Sequence, residues 1–206
     1  MRHARNRTAL LFLFALLAAL RLCSIATGHS LIPAAHAAAL TYVLDREGSA
    51  VGFETDFGQT PIRGRMPVTS ADLSLDFDRA AASHVEVTLN ADAARASFPF
   101  ATQAMKGGSV LDTGRYPEIH FESTRVRPTD TGAAVTGLLT IRGVTREITL
   151  DARLYRPEGT EVGHRENLSI LLTGKVSRSD FGATGFADMV GDEVRLKILA
   201  RIRRAG

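Results

Sequence analysis

The residue types that carry catalysis are few in this chain and widely spaced. Three histidines lie beyond residue 37, namely His84, His120 and His164, and no two share the H-x-H or H-x-x-x-H spacing that places two metal ligands together. A zinc site would need residues that converge from distant positions. The chain also lacks the G-x-S-x-G, P-loop and G-x-G-x-x-G motifs. Because no nucleophile stands beside a base, the sequence argues against a hydrolase or isomerase and predicts a protein that is not an enzyme.

Two groups of charged residues allow both a functional and an ordinary interpretation. Asp76 and Asp78 share one face of a predicted strand, as paired carboxylates for acid–base chemistry would, but solvated charges on an outer face explain them more simply. A basic stripe near the C-terminus could rest on anionic lipid headgroups, or could be the wet face of the last strand. The stripe consists of Arg195, Lys197, Arg201, Arg203 and Arg204.

The N-terminal segment predicts export. Residues 1–7 carry three arginines and no acid, residues 8–20 are apolar, and small residues lead to Ala35-His36-Ala37, an A-x-A pattern. These are the three parts of a secretory signal peptide. A retained anchor is the alternative, but Arg21 limits the apolar run to 13 residues, short of the ~20 that span a bilayer. We therefore predict a signal peptide at 1–37 and a periplasmic protein.

Removal of this leader changes the charge and the cysteine count. Cleavage is expected before Ala38 or Ala39, and Cys23 is lost with the leader, since Arg21 precedes it where a lipobox needs small residues. The mature chain then has 21 basic and 22 acidic side chains, a net charge of −1, despite the basic isoelectric point of the whole sequence. This balance gives no support for nucleic-acid binding. Without cysteine, disulfides and thiol chemistry are excluded from residues 38–206.

The mature chain alternates apolar and polar residues, which predicts β-strands almost throughout. The exception is 98–116, where Ala101–Lys106 is predicted to form a short helix that ends at Gly107-Gly108. Eight or more antiparallel strands with one helical insertion indicate a single all-β domain, either a sandwich or a barrel. The predicted strands are 41–46, 50–56, 62–66, 71–78, 85–89, 118–127, 133–141, 148–154, 168–177 and 194–203.

Four motifs in order carry a family resemblance. They are the run Tyr116–Thr124 (YPEIHFEST), the hairpin Gly137–Arg146 (GLLTIRGVTR), the segment Ser177–Gly182 (SRSDFG) and the run Val190–Val194 (VGDEV). Asp45, Phe53 and Arg63-Gly64-Arg65 fit the opening pattern. With these motifs the chain resembles the YceI-like proteins over about 41–203.

The resemblance implies a lipocalin-like antiparallel β-barrel of about eight strands at 38–206, secreted to the periplasm. It further implies a carrier for a long-tailed amphiphile, a polyisoprenoid phosphate or a quinone-type lipid, with no cofactor beyond such a non-covalently bound lipid. A fatty-acid or amide binder, and a stress-related structural envelope protein without a ligand, are the alternatives. Transient contact with a membrane surface is expected of a carrier, and a dimer is left open.

Two departures from the family pattern leave the lipid unidentified. Residues 54–60 lack the usual Lys-His pair, and 107–112 (GGSVLD) replace an acidic-aromatic segment. Eight residues are predicted to line the cavity or its mouth. Phe53 and Phe121 are chosen because they lie on the apolar face of their strands, and most of the others because they lie in irregular segments, although all could equally cap a solid core. They are Phe53, Phe57, Phe98, Phe100, Met105, Phe121, Phe181 and Met189.

A phosphorylated headgroup would need a cation at the mouth, because the guanidinium fork matches phosphate geometry. Arg178 is the first candidate, since it lies where a strand gives way to a glycine-containing loop. A structural contact to Asp180 or to a backbone carbonyl is the equal alternative. Arg63, beside Gly64, and Lys106, on the predicted helix, are the further headgroup candidates.

Overall fold

A computed structural model describes residues 39–156, 159–161 and 163–206. The predicted signal peptide at 1–37, with Cys23, lies outside the described residues. Export and cleavage therefore stay predictions.

The described residues form eleven β-strands and one α-helix. The helix, α1 (Pro99–Lys106), begins two residues before the predicted segment because a proline at the first helical position already has the helical φ. The strands are β1 (Leu40–Leu44), β2 (Ala50–Phe57), β3 (Ile62–Met66), β4 (Val68–Leu75), β5 (His84–Asn90), β6 (Arg95–Ala96), β7 (Glu118–Thr129), β8 (Gly132–Ile141), β9 (Val144–Tyr155), β10 (Asn167–Ser177) and β11 (Val190–Arg204).

Eight of these strands close into an antiparallel barrel, which confirms the predicted lipocalin-like fold. Their order around the ring is β1, β4, β5, β7, β8, β9, β10, β11, and pairing of β1 with β11 closes it. The remaining strands extend the wall: β2 pairs with the first part of β11, β3 with β2, and β6 with β3. Closure leaves no free edge in the ring.

Alternation along each strand decides which side chains point into the barrel. On β7 the phase changes at a bulge between Ser123 and Arg125, so Phe121 and Val126 both point inward although they are five residues apart. The β8–β9 hairpin turns at Arg142-Gly143, both at positive φ. That conformation suits a two-residue turn between twisted antiparallel strands.

The connection after β4 corrects one strand boundary and one interpretation. The predicted strand 71–78 ends three residues early, at Leu75, because Asp76 accepts the backbone N–H groups of Asp78 and Arg79 and turns the chain out of the sheet. Asp76 is therefore not a solvated charge of an outer strand face: its side chain is 2% exposed. Asp78 pairs instead with Arg165 (Oδ1 to Nη2, 3.0 Å).

The connections at one end of the barrel surround the site described below. They are the β2–β3 turn at 58–61, α1 with the loop that follows it, and the β10–β11 loop at 182–189. Within the described residues, none of the helical segments has the length and apolar character needed to cross a membrane.

Candidate functional site

The barrel formed by the described residues encloses a cavity of about 770 Å³. Its walls come from the inward positions of the ring strands, such as Val87 on β5, Val135 on β8, Leu172 on β10 and Ile198 on β11. The volume lies within the ~300–1,000 Å³ of ordinary ligand pockets. The period-two pattern of the sequence identifies these aliphatic wall positions, although the eight residues predicted above to line the cavity are all phenylalanine or methionine.

Almost every lining side chain is apolar. Within the described lining, five residues carry polar side chains: Ser49, Thr55, Asp76, Ser83 and Arg178. Each of the five already has a hydrogen-bond partner in the protein. A ligand in this cavity therefore meets hydrocarbon, with no unsatisfied hydrogen-bonding side chain to orient it.

Backbone groups satisfy the polar side chains along the walls. The Thr55 hydroxyl lies 3.0 Å from the carbonyl oxygens of Gly191 and Glu193. The Ser83 hydroxyl accepts the Asp76 N–H at 2.9 Å. The Arg79 backbone N–H, which donates to the Asp76 carboxylate, holds the pKa of that carboxyl below its ordinary value. Asp76 is thus a charged cap of the β4–β5 connection.

Arg178, the first headgroup candidate, donates to four backbone carbonyls. Its Nε bonds Gly191 at 3.0 Å, Nη1 bonds Ala183 at 2.6 Å and Gly185 at 2.7 Å, and Nη2 bonds Val190 at 3.0 Å. These contacts hold the β10–β11 loop against the barrel end. The sequence left a carbonyl contact of Arg178 open as the structural alternative, and this geometry is of that kind.

The other two headgroup candidates lie outside the cavity lining. Arg63 Nε is 2.6 Å from Glu54 Oε2 on the outer wall, with the Arg63 side chain 70% exposed. Lys106 Nζ is 4.0 Å from Asp92 Oδ1. The structure therefore does not bring Arg63, Lys106 and Arg178 together around one point.

All eight residues predicted to line the cavity are on its surface. Phe53 lies over Gly64 and Phe121 over Gly137, where a Cβ atom on either glycine would overlap the ring. Phe181 is 2% exposed and packs with Met66, Ile119 and Leu139, so it belongs to the core as well as to the lining. Two aromatic lining residues were not among the predicted set: Phe77 and Phe186.

The basic stripe on β11 is partly neutralised on the outer wall. Arg195 Nη2 lies 2.6 Å from Asp56 and 3.1 Å from Glu54. The hydrogen bond from Arg195 is the main reason that the pKa of Asp56 lies below its ordinary value. Arg204 pairs with Glu166 at 3.2 Å. These ion pairs match the simpler interpretation of the stripe as the solvent-exposed face of a strand.

Two histidines on the outer face of β5 and β7 lie near the same carboxylate. The Nε2 atoms of His84 and His120 lie 4.0 and 3.7 Å from the carboxylate oxygens of Glu86. Among the residues that the structure describes, no three His, Cys, Asp or Glu side chains are arranged to hold a metal ion.

A closed antiparallel barrel around an apolar cavity defines the class: a lipocalin-like barrel. Within that class the assignment is specific, because the protein-family model of the YceI-like domain matches residues 42–202. The chain belongs to the YceI-like family.

Individual relatives agree with this membership. A UPF0312 protein of Enterobacter sp. is 28% identical over 181 residues, which cover 86% of this chain and 94% of the relative. Among solved structures, Burkholderia cenocepacia BcnA superposes with a TM-score of 0.69 at 21% identity, over 77% of this chain and 99% of BcnA. A domain from Saccharophagus degradans, described as polyisoprenoid-binding and implicated in plant cell wall breakdown, superposes with a TM-score of 0.56 at 11% identity, over 81% and 99% of the two chains. At these identities, the two structures establish the fold.

Proposed function

We propose that this protein is a periplasmic, non-catalytic carrier that holds the long apolar tail of a lipid inside its barrel. The observation that carries the proposal is the 770 Å³ cavity whose few polar side chains are all engaged by the protein itself. The description of the Saccharophagus degradans domain as polyisoprenoid-binding supports the same class of ligand. A polyisoprenoid phosphate, a quinone-type lipid and a fatty acid all carry such a tail.

The size of the cavity sets the length of tail that fits. A methylene group is about as large as a water molecule, whose share of liquid volume is about 30 Å³, so 770 Å³ accommodates on the order of 25 such groups. At ~0.8 kcal/mol per buried CH₂, full occupancy contributes about 20 kcal/mol before costs. Ordering of the tail and the loss of ~4–15 kcal/mol on association oppose this gain. Burial of the tail is therefore the largest favourable contribution to retention that the cavity offers.

The headgroup belongs at the mouth, in or near water. Arg178 is the one cation of the described lining, and a phosphate would have to compete there with the carbonyls of Gly191, Ala183, Gly185 and Val190. We therefore propose that the protein selects its ligand by tail rather than by headgroup. Neutral quinone-type and phosphorylated lipids of equal tail length should then be retained equally well.

Native mass spectrometry of the protein, purified from the periplasm without detergent, tests the proposal. The expected result is an added mass that organic solvent extraction removes, together with an N-terminus at Ala38 or Ala39. The extracted protein is then offered a polyprenyl phosphate, a quinone and a fatty acid in turn. Absence of an added mass in the native protein, with no uptake of any of the three, would contradict the proposal and favour a ligand-free structural protein.

A further inference from the structure

Four of the exposed large apolar side chains lie at one place, the mouth of the cavity. Phe98, Phe100, Phe186 and Met189 are 37, 73, 40 and 54% exposed, yet all four also line the cavity. A side chain that borders both the interior and the solvent must lie where the two meet. We call these four residues the apolar rim.

The fold brings the rim together from two segments. Phe98 and Phe100 lie at the start of α1, and Phe186 and Met189 lie in the β10–β11 loop. The Gly185 N–H donates to the Ser109 carbonyl oxygen at 2.8 Å, which ties that loop to the segment after α1. The four carbonyl bonds of Arg178 fix the other side of the loop. The rim is therefore a built surface held by hydrogen bonds.

Phe186 occupies a backbone conformation that is unfavourable for its type. Its φ is +60°, in the left-handed region that non-glycine residues rarely adopt. Its carbonyl accepts the N–H groups of Met189 and Val190 at 3.0 and 2.9 Å, which holds this turn. Such strain persists where the surroundings impose it, and here it accompanies an aromatic ring presented to solvent.

Charge is sparse and balanced around the rim. The connections at this end of the barrel, 58–61, 97–117 and 182–189, together contain two basic residues, Lys106 and Arg115, and two acidic residues, Asp112 and Asp188. By contrast, 23% of the whole chain is charged. A partner that fits this surface is apolar and needs no complementary charge.

We infer that the apolar rim docks on the surface of a phospholipid bilayer, where the tail passes between membrane and barrel. This inference rests on the proposed function, because a tail that leaves the cavity through water would expose every methylene group on the way. Rings that line the cavity and also face outward give the tail a continuous apolar path. Since the rim has almost no charge, docking depends on the apolar insertion of side chains and not on the basic stripe of β11.

Flotation with vesicles of neutral phosphatidylcholine tests docking directly. The rim variant Phe100→Ser/Met189→Ser should lower the floating fraction of the full mature protein about tenfold, because two exposed apolar side chains are lost. The control Leu138→Ser/Tyr155→Ser removes two other large exposed apolar side chains, 40 and 49% exposed against 73 and 54% for the rim pair, that are not part of the lining. The control should float as the wild type does. Anionic lipid in the vesicles, or about 0.5 M salt, should change the fraction less than about twofold.

Transfer kinetics provide the second measurement. A pyrene-labelled long-chain fatty acid is loaded into the wild-type protein, and its movement to the same vesicles is followed by fluorescence. Docking predicts a transfer rate that rises in proportion to vesicle concentration. A rate independent of vesicle concentration means release through water and would overturn the inference.

The failures of the two proposals are distinguishable. A wild-type protein that carries lipid by native mass spectrometry, but neither floats nor transfers by collision, overturns docking and leaves the proposed function standing. A protein that carries no lipid contradicts both the proposed function and the docking inference. Two other outcomes would also overturn the inference. If flotation requires anionic lipid, the membrane contact belongs to the basic stripe. If the protein does not float but forms a dimer that Phe100→Ser dissociates, the rim contacts a second copy of the chain.

Discussion

Enlarging two inward side chains should shorten the lipid that the barrel retains. Val87 and Leu172 both line the cavity, on β5 and β10, which lie opposite each other in the ring of eight strands. Both are only half-buried, as expected of side chains that border empty space. The variant Val87→Phe/Leu172→Phe adds seven side-chain carbons but removes two hydrogens, so the inserted volume is on the order of 100 Å³, less than seven methylene groups of about 30 Å³ each would occupy. That is roughly an eighth of the 770 Å³ available.

The expected result is a shift in lipid length without a loss of stability. The capacity should fall from about 25 to about 22 methylene-sized groups, which native mass spectrometry detects as a lighter bound lipid or as reduced loading with the longest one. In a filled core the same two insertions would cost about 1–3 kcal/mol each. In an open cavity they should leave the melting temperature unchanged or raised.

A control on the outer wall separates the two effects. Leu171→Phe enlarges the neighbouring residue on β10, which is not part of the lining. It should change neither lipid length nor loading. If Val87→Phe/Leu172→Phe instead lowers stability by several kcal/mol and the bound mass is unchanged, the interior is packed and the argument from cavity volume fails.

Four further substitutions test the wall, the core, the loop anchor and the β4–β5 connection. Phe121→Ala should cost clearly less than the ~3–5 kcal/mol of a solid-core Phe→Ala change and weaken lipid retention, whereas Phe181→Ala, at a site 2% exposed, should cost the full amount by denaturant unfolding. Arg178→Gln should lower stability by about 3 kcal/mol, or roughly 6–12 °C of melting temperature. It should reduce phosphorylated and neutral lipid equally, and selective loss of the phosphorylated lipid would establish a headgroup contact instead. Asp76→Asn should lower the melting temperature at neutral pH. Because folding lowers the pKa of this carboxyl, the difference from wild type should shrink as pH falls below about 4, and a constant difference would contradict the capping role.

The sequence predicted the barrel well because alternation is a local property. On β11, Val194, Leu196 and Ile198 point into the cavity as the period-two pattern requires, and the predicted strands lie close to those observed. The same pattern could not show that β2 and β1 pair with successive parts of β11. That division depends on contacts between residues about 130 to 160 positions apart in the chain.

The candidate site was predictable in its apolar part and not in its polar part. The inward position of Phe53 and Phe121 follows from the alternation of apolar and polar residues along their strands, which is visible in the neighbouring sequence. The environment of Arg178 does not, because its carbonyl partners on Ala183 and Val190 adopt their positions only when the β10–β11 loop folds back. Burial of Asp76 could not be predicted from the sequence either. Backbone N–H groups after the strand donate to its carboxylate, and no spacing of residue types indicates these hydrogen bonds.

The residues that make the family motifs recognisable have structural explanations in this fold. Gly64 and Gly137 lie under the rings of Phe53 and Phe121, where any larger residue would displace them. In the SRSDFG segment, Arg178 anchors the loop and Gly182 adopts a φ of +71°.

The VGDEV run has an equivalent role, since Asp192 accepts the backbone N–H and the hydroxyl of Ser179 at 3.0 and 2.9 Å. These motifs therefore build the barrel and fix one end of it, and their polar atoms are occupied by that task. Discrimination between ligands must then come from side chains that make no such structural hydrogen bonds. In this chain those are the aliphatic walls, which on the proposed function would set the length of the tail, and the exposed rim of Phe98, Phe100, Phe186 and Met189, which we infer to face the membrane.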